Sequence, residues 1–178
     1  MLVPRQKTPP LALDTVAHGR FDLDAITAER GVVLCFYRGL HCPLCAKYLA
    51  ELEKQTPAFA ERGVETLALS TDGEERARAM AEKVGAKALR FAYGLPLREA
   101  RDWGLYISTG RGKTSVGIEE PERFAEPGVF MVQPGRTLYW ASVQSMPFVR
   151  PNFAEMVQAL DFIIEKSYPA RGEYTGAL

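Results

Sequence analysis

The sequence is poor in the residues that mark several classes of function. Its 178 residues include only 3 cysteines and 2 histidines. So few cysteines, and an odd number, exclude a disulfide-dense secreted scaffold. Net charge is absent too, with 22 Lys plus Arg against 22 Asp plus Glu. A dedicated nucleic-acid binder needs a basic excess to neutralise phosphates, so the balance argues against one. No stretch reaches the ~18 uninterrupted apolar residues of a membrane span. The opening MLVPRQKTPPLALDTVAHG is broken by Pro4, Pro9 and Pro10 and lacks the apolar core of a secretion signal. There is no internal repeat and no low-complexity tract. The expected location is the cytoplasm, a reducing compartment, with no membrane and no nucleic acid as partner. Two cysteines close in sequence then suggest redox or metal chemistry more than a static disulfide.

What is present suits a folded domain. The chain is 47% hydrophobic and 25% charged, enough apolar material for a core and too little net charge for disorder. One domain is expected over residues 1–178, with a Pro-rich arm at 1–12 and a loose tail at 168–178. Residues 13–29 read as a short hairpin turning at His18-Gly19, then a short helical piece. Val32 to Tyr37 is a continuous apolar run between Gly31 and Gly39, the pattern of a strand buried on both faces. A helix follows, with Leu44, Tyr48, Leu49 and Leu52 on one face and Pro43 in the first turn. Pro57 should kink or interrupt it, and Gly63 should end it.

Val64 to Ser70 alternates as a strand. A helix from about Gly73 to Val84 should be capped by Thr71 or Asp72 and stopped by Gly85. Leu89 to Tyr93 is a weaker strand, and 97–103 a short helix. Residues 108–127 read as a loop or irregular insertion. Val129–Val132 and Thr137–Ala141 flank a turn at Gln133–Arg136 and predict a hairpin. Asn152 to Lys166 predicts a closing helix capped by Asn152, with Phe153, Met156, Val157, Leu160, Ile163 and Ile164 on its apolar face. The order predicts an α/β fold: early βαβ units with a parallel core, then an antiparallel hairpin and a helix.

Chemistry concentrates in Arg38-Gly39-Leu40-His41-Cys42-Pro43-Leu44-Cys45, where the buried strand ends and the helix begins. A helix N-terminus presents free N–H groups and partial positive charge, which stabilise a thiolate. Cysteine pKa values at such positions fall from about 8.5 to about 3.5–7.5. The two-residue spacing lets one sulfur resolve an oxidised form of the other. Two alternatives stay open at this point. The pair could be half of a zinc site, although zinc wants four ligands, Cys35 lies in the buried strand and His41 would be a cramped ligand. The cysteines could also be inert. Cys35 itself reads as a plain core residue.

The run from Val33 to Cys45 resembles the signature of peroxiredoxin-like redoxins of the alkyl hydroperoxide reductase and thiol-specific antioxidant superfamily: a strand, Tyr-Arg-Gly, two residues, then Cys-Pro-x-Cys. The resemblance extends over about residues 10–165. It implies a thioredoxin-like three-layer fold, a mixed central sheet with helices on both faces and an N-terminal hairpin extension. It also implies a thiol-dependent antioxidant oxidoreductase that reduces peroxides through a Cys42–Cys45 dithiol/disulfide cycle. No cofactor is expected. An external dithiol such as thioredoxin or glutaredoxin would be the reductant, and a homodimer is a possible assembly. A thioredoxin-type disulfide oxidoreductase and a non-catalytic binding module are the alternative functions.

The chain departs from the peroxiredoxin pattern Pro-x-x-x-Thr/Ser-x-x-Cys. The peroxidatic cysteine of that register is Cys45, the threonine position is Cys42 and the proline position is Arg38. Peroxiredoxins also carry an arginine just before a later strand, and Pro127 stands there. Thioredoxins place a cis-proline at that point, so Pro127 is expected to follow a cis peptide beside the cysteines, with a strand-start proline as the plainer reading. The candidate catalytic residues are thus Cys42, Cys45, Arg38 and Pro127. Arg38 could lower a thiolate pKa or be a surface arginine. Tyr37 and His41 flank the motif, with His41 either holding a proton near Cys42 or merely solvated. Arg150 precedes the last helix and could reach the site. Gly110–Thr114 resembles a phosphate loop but lacks its first glycine, where Ile107 stands, so nucleotide binding is rejected. Glu119, Glu120 and Glu122 read as a solvated charge cluster.

Overall fold

The computed structural model describes residues 2–177. A hairpin of β1 (Ala12–Asp14) and β2 (Arg20–Asp22) leads through a single 3-10 turn to β3 (Gly31–Phe36). Then come α1 (Pro43–Glu61), β4 (Val64–Leu69), α2 (Glu74–Val84), β5 (Arg90–Ala92) and α3 (Leu97–Asp102). The chain closes with β6 (Ile107–Thr109), β7 (Arg123–Ala125), β8 (Gly128–Gln133), β9 (Thr137–Val143) and α4 (Phe153–Lys166). The central sheet runs β5-β4-β3-β8-β9. Its β3–β4–β5 half is parallel, and β8 and β9 are antiparallel.

All six residues of β3 are buried because both faces of the strand meet apolar layers. Val33, Cys35 and Tyr37 point to a cluster that includes Leu49 and Leu52 of α1, Met80 of α2 and Phe153, Val157 and Leu160 of α4. Val32, Leu34 and Phe36 point the other way, to Leu13, Phe21, Trp103 and Phe130. Three helices thus cover one face. The N-terminal hairpin, α3 and the β6–β7 pair cover the other. This is the expected mixed sheet with helices on both faces.

Several local expectations are corrected. Helix α1 continues through Pro57 to Glu61. The lost backbone bond is outweighed locally because Leu52, Thr56 and Phe59 are buried, and the Thr56 hydroxyl hydrogen-bonds Leu52 O and Thr66 Oγ1. Helix α2 is capped by Gly73 without a side-chain bond, because Asp72 is engaged elsewhere. Residues 108–127, expected to be a loop or irregular insertion, hold all of β7 and most of β6, which pair antiparallel. Each strand is three residues long, too short for alternation to show. The segments around the domain are tied to it. Arg5 N–H donates to Leu138 O, and Arg5 Nε donates to Ala170 O at 2.9 Å, so the chain just past Pro169 is held.

Gly31 opens β3 with φ +106°, and a Cβ there would collide with the Val132 carbonyl of the neighbouring strand. Gly31→Ala should therefore cost about 2 kcal/mol or more of stability, from left-handed strain and a backbone clash together. Urea unfolding of the variant reads this directly. An unchanged midpoint would contradict the packing at the β3–β8 junction.

Candidate active site

The site is built where β3 hands over to α1. Gly39 turns the chain at φ +141°, a conformation side chains rarely adopt, and a Cβ there would meet Asp72 Oδ2 and His41 Nδ1. Asp72, fully buried, accepts the Leu40 N–H at 2.7 Å and faces Arg76 Nε at 3.2 Å. That carboxylate holds the loop that presents Cys42. Cys42 is the N-cap of α1, and its sulfur accepts the Cys45 N–H at 3.2 Å, the place a Ser or Asp oxygen takes in ordinary caps. Pro43 fills the first helical position, and Cys45 lies in the first turn, as expected. The two sulfurs face each other as free thiols.

Cys42 does not face solvent, although it caps the helix. It is 1% exposed, and Cys45 is fully buried, because both join the core cluster beneath α4. Hydrogen bonding from the Cys45 thiol pulls the Cys42 pKa down, aided by the Cys45 N–H and by the fields of Arg150 and Arg38, against its burial. Burial pushes the Cys45 thiol up, as does its partner Cys42, with Arg150 opposing. Cys35 is pushed up to about 12 by burial, which fits a core thiol.

Arg150 does reach the site. Its Nη2 donates to Cys45 Sγ at 3.1 Å, and its guanidinium stacks over Tyr48 at 4.9 Å. Tyr48 in turn donates to Pro151 O at 2.7 Å, fastening this segment to α1. The residue before Arg150 is Val149, a β-branched residue held at φ +54° and 91% exposed. A groove of about 500 Å³ opens beside it, lined by Leu44, Tyr48, Phe148, Arg150 and Phe153 among others.

Arg38 does not touch either sulfur. It pairs with Glu126 at 3.1 Å and Glu120 at 3.4 Å and lies over Phe124 at 4.7 Å. Ser108 Oγ donates to Glu126, and the Arg111 N–H donates to Glu120. Glu120 is therefore not part of a solvated cluster. Pro127 is corrected more sharply. Among the described residues no peptide is cis, so the Glu126–Pro127 bond is trans. The Pro127 carbonyl accepts the Gln144 N–H and Glu126 N–H donates to Tyr106 O, fixing this stretch as the lead-in to β8. The thioredoxin-type groove thus drops out. His41 is not solvated either. It is wholly buried against Phe124, its ring nitrogens have no hydrogen-bond partner among the described residues, and its pKa falls to about 4, from burial first and then Arg38. Among the described residues no group of three or more His, Cys, Asp or Glu could hold a metal ion.

Sequence reasoning gave no site role to Asp72, Glu120 and Glu126, which lie 27, 75 and 81 residues beyond Cys45 in the chain, so no spacing connects them to the motif.

The family model described as AhpC/TSA family matches residues 4–141. The chain belongs to the AhpC/TSA family. No curated protein sequence matches it. Solved structures match the fold of this AhpC/TSA chain. Enterococcus faecalis AhpC is 17% identical with TM-score 0.72, over 96% of this chain and 99% of that one. The reduced 2-Cys peroxiredoxin of Plasmodium vivax is 16% identical with TM-score 0.73, over 94% and 84%. A cysteine-to-serine mutant of peroxiredoxin 6 from Arenicola marina is 18% identical with TM-score 0.72, over 94% and 76%. These likenesses establish the peroxiredoxin form of the thioredoxin-like fold, and the family match supports thiol-dependent peroxide reduction.

The buried imidazole carries a pH signature. Its folded pKa of about 4 lies below the ordinary value near 6.5, so between these values the unfolded chain binds the extra proton and stability falls as pH falls. From pH 7 to pH 5 this amounts to about 2 kcal/mol at ~1.36 kcal/mol per unit. The His41→Phe variant, which keeps a ring and loses no hydrogen bond, should lack that component when urea unfolding is compared at the two pH values. Equal losses in both proteins would contradict the buried neutral imidazole.

Proposed function

We propose that the chain is a thiol peroxidase that reduces a hydroperoxide by oxidising Cys42 and Cys45 to a disulfide. The carrying observation is the pair itself: two free sulfurs within one helical turn, at the N-terminus of α1, in an AhpC/TSA chain. Two thiols supply two electrons. The O–O bond of ROOH breaks, the S–S bond forms, and ROH and water leave. Burial of both sulfurs favours a small hydroperoxide over a protein disulfide as the oxidant. The trans Glu126–Pro127 bond also weighs against a disulfide exchanger.

An external dithiol, of the thioredoxin or glutaredoxin kind, would return the pair to its reduced state. The cytoplasm, which supplies such reductants, is the proposed compartment, and a homodimer the proposed assembly. Arg38, fixed between Glu120 and Glu126, acts here as a distant field on Cys42 and as a brace for the loop, not as a group that touches peroxide.

One equivalent of hydrogen peroxide should lower the free-thiol count from 3 to 1, leaving Cys35. Peptide mapping should find the Cys42–Cys45 disulfide, dithiothreitol should restore all thiols, and Cys35→Ala should keep turnover within about twofold, as expected of a buried thiol outside the cycle. Retention of all thiols would refute the proposed activity and favour a binding module.

A further inference from the structure

We propose that the two cysteines have exchanged the roles that the peroxiredoxin register gives them: Cys42 attacks the peroxide, and Cys45, served by Arg150, resolves it. The inference rests on the thiol-peroxidase reading and assigns the order of events within it. In that register Cys45 is the nucleophile and Cys42 merely replaces a threonine.

The surroundings of the two sulfurs differ in kind. Cys42 sits outside the first helical residue, as the cap, and takes the Cys45 N–H directly at 3.2 Å. An anion at this position meets the free N–H groups and the positive end of a 19-residue helix. Cys45 sits inside the turn. Its own N–H is spent on Cys42, and among the described residues no backbone N–H donates to its sulfur. Around it lie Cys35, Tyr37 and the core beneath α4, an apolar setting that favours the neutral thiol.

Arg150 then acquires a distinct task. A guanidinium at 3.1 Å from Cys45 Sγ would also suit a resting thiolate there, the arrangement of the ordinary register. With the resting charge on Cys42, the same contact matters one step later, when Cys45 must lose its proton. The Cys42 thiolate attacks the distal oxygen of ROOH. The O–O bond breaks, and RO⁻ takes the proton of the neighbouring Cys45 thiol to become ROH. This leaves Cys42 as the sulfenic acid and Cys45 as a thiolate against Arg150. Cys45 Sγ then attacks Cys42 Sγ, the S–O bond breaks, and the leaving hydroxide becomes water with the solvent proton that Cys42 released on forming its thiolate. Two sulfurs lose one electron each and the peroxide gains two. Arg150 is thus a positioning residue for the second step.

The test is single-turnover reaction of the full chain with hydrogen peroxide, quenched with dimedone and mapped by mass spectrometry. Cys45→Ser should consume one equivalent at a rate within tenfold of wild type and carry dimedone on Cys42. Cys42→Ser should react at least a hundredfold more slowly. Arg150→Met should slow disulfide formation at least tenfold more than it slows sulfenic acid formation. A fast Cys42→Ser variant with dimedone on Cys45, or equal rates in both variants, overturns the inference while leaving the peroxidase reading intact. A wild-type chain that consumes no peroxide refutes the peroxidase reading, and the inference with it. Should a variant not fold, limiting iodoacetamide on the wild-type chain at neutral pH decides: Cys42 labelled first supports the exchange, and Cys45 labelled first overturns it.

Discussion

The hydrogen bond from the Cys45 N–H to the Cys42 sulfur governs the whole arrangement. It makes a sulfur the cap of α1, so the proposed nucleophile and the start of the helix are one feature. Everything around it fixes where that cap stands. Strand β3, buried on both faces, delivers the chain to the edge of the sheet where α/β folds place their sites. Gly39 makes the turn, and Asp72, reaching from the end of β4, holds Leu40.

Two charged groups work on this cap from different directions and are not equivalent. Arg150, on the segment before α4, touches sulfur directly and is braced by Tyr48. Arg38 belongs to the motif itself, yet both of its ends are occupied by Glu120 and Glu126 from around β7. Paired and half-enclosed, it brings net charge to the site only at a distance. Both pairings also tie distant loops to the sheet edge. A buried ion pair is weak evidence of stability but strong evidence of position, since breaking one partner leaves the other charge uncompensated. The buried His41, with no partner for either nitrogen among the described residues, shows how tightly the loop is packed behind Cys42.

Much of this was legible in the sequence, for physical reasons. The apolar run at 32–37, the α1 pattern, the hairpin at 128–143 and the Asn152 cap all appear as expected, because long elements with a buried face write their period into the chain. The Cys-Pro-x-Cys at a strand–helix junction marked the candidate site. Hidden were features set by tertiary contact. The three-residue strands β6 and β7 are too short to show a period, and Pro57 is tolerated because Thr56 and Phe59 anchor its turn. The burial of Cys42 is another such feature: it caps the helix, yet it lies in the cluster that Phe153, Val157 and Leu160 of α4 complete. The trans bond at Pro127 follows from hydrogen bonds to Gln144 and Tyr106, neither of which a motif can foresee.

The central claim is that the Cys42–Cys45 pair holds one thiolate, at Cys42, under the helix cap. Titration of thiolate ultraviolet absorbance in the Cys35→Ala chain measures it most directly. The account predicts a single transition below the ordinary cysteine value of about 8.5, abolished by Cys42→Ser and kept by Cys45→Ser. A first transition at or above that value, or one that survives Cys42→Ser unchanged, would contradict it.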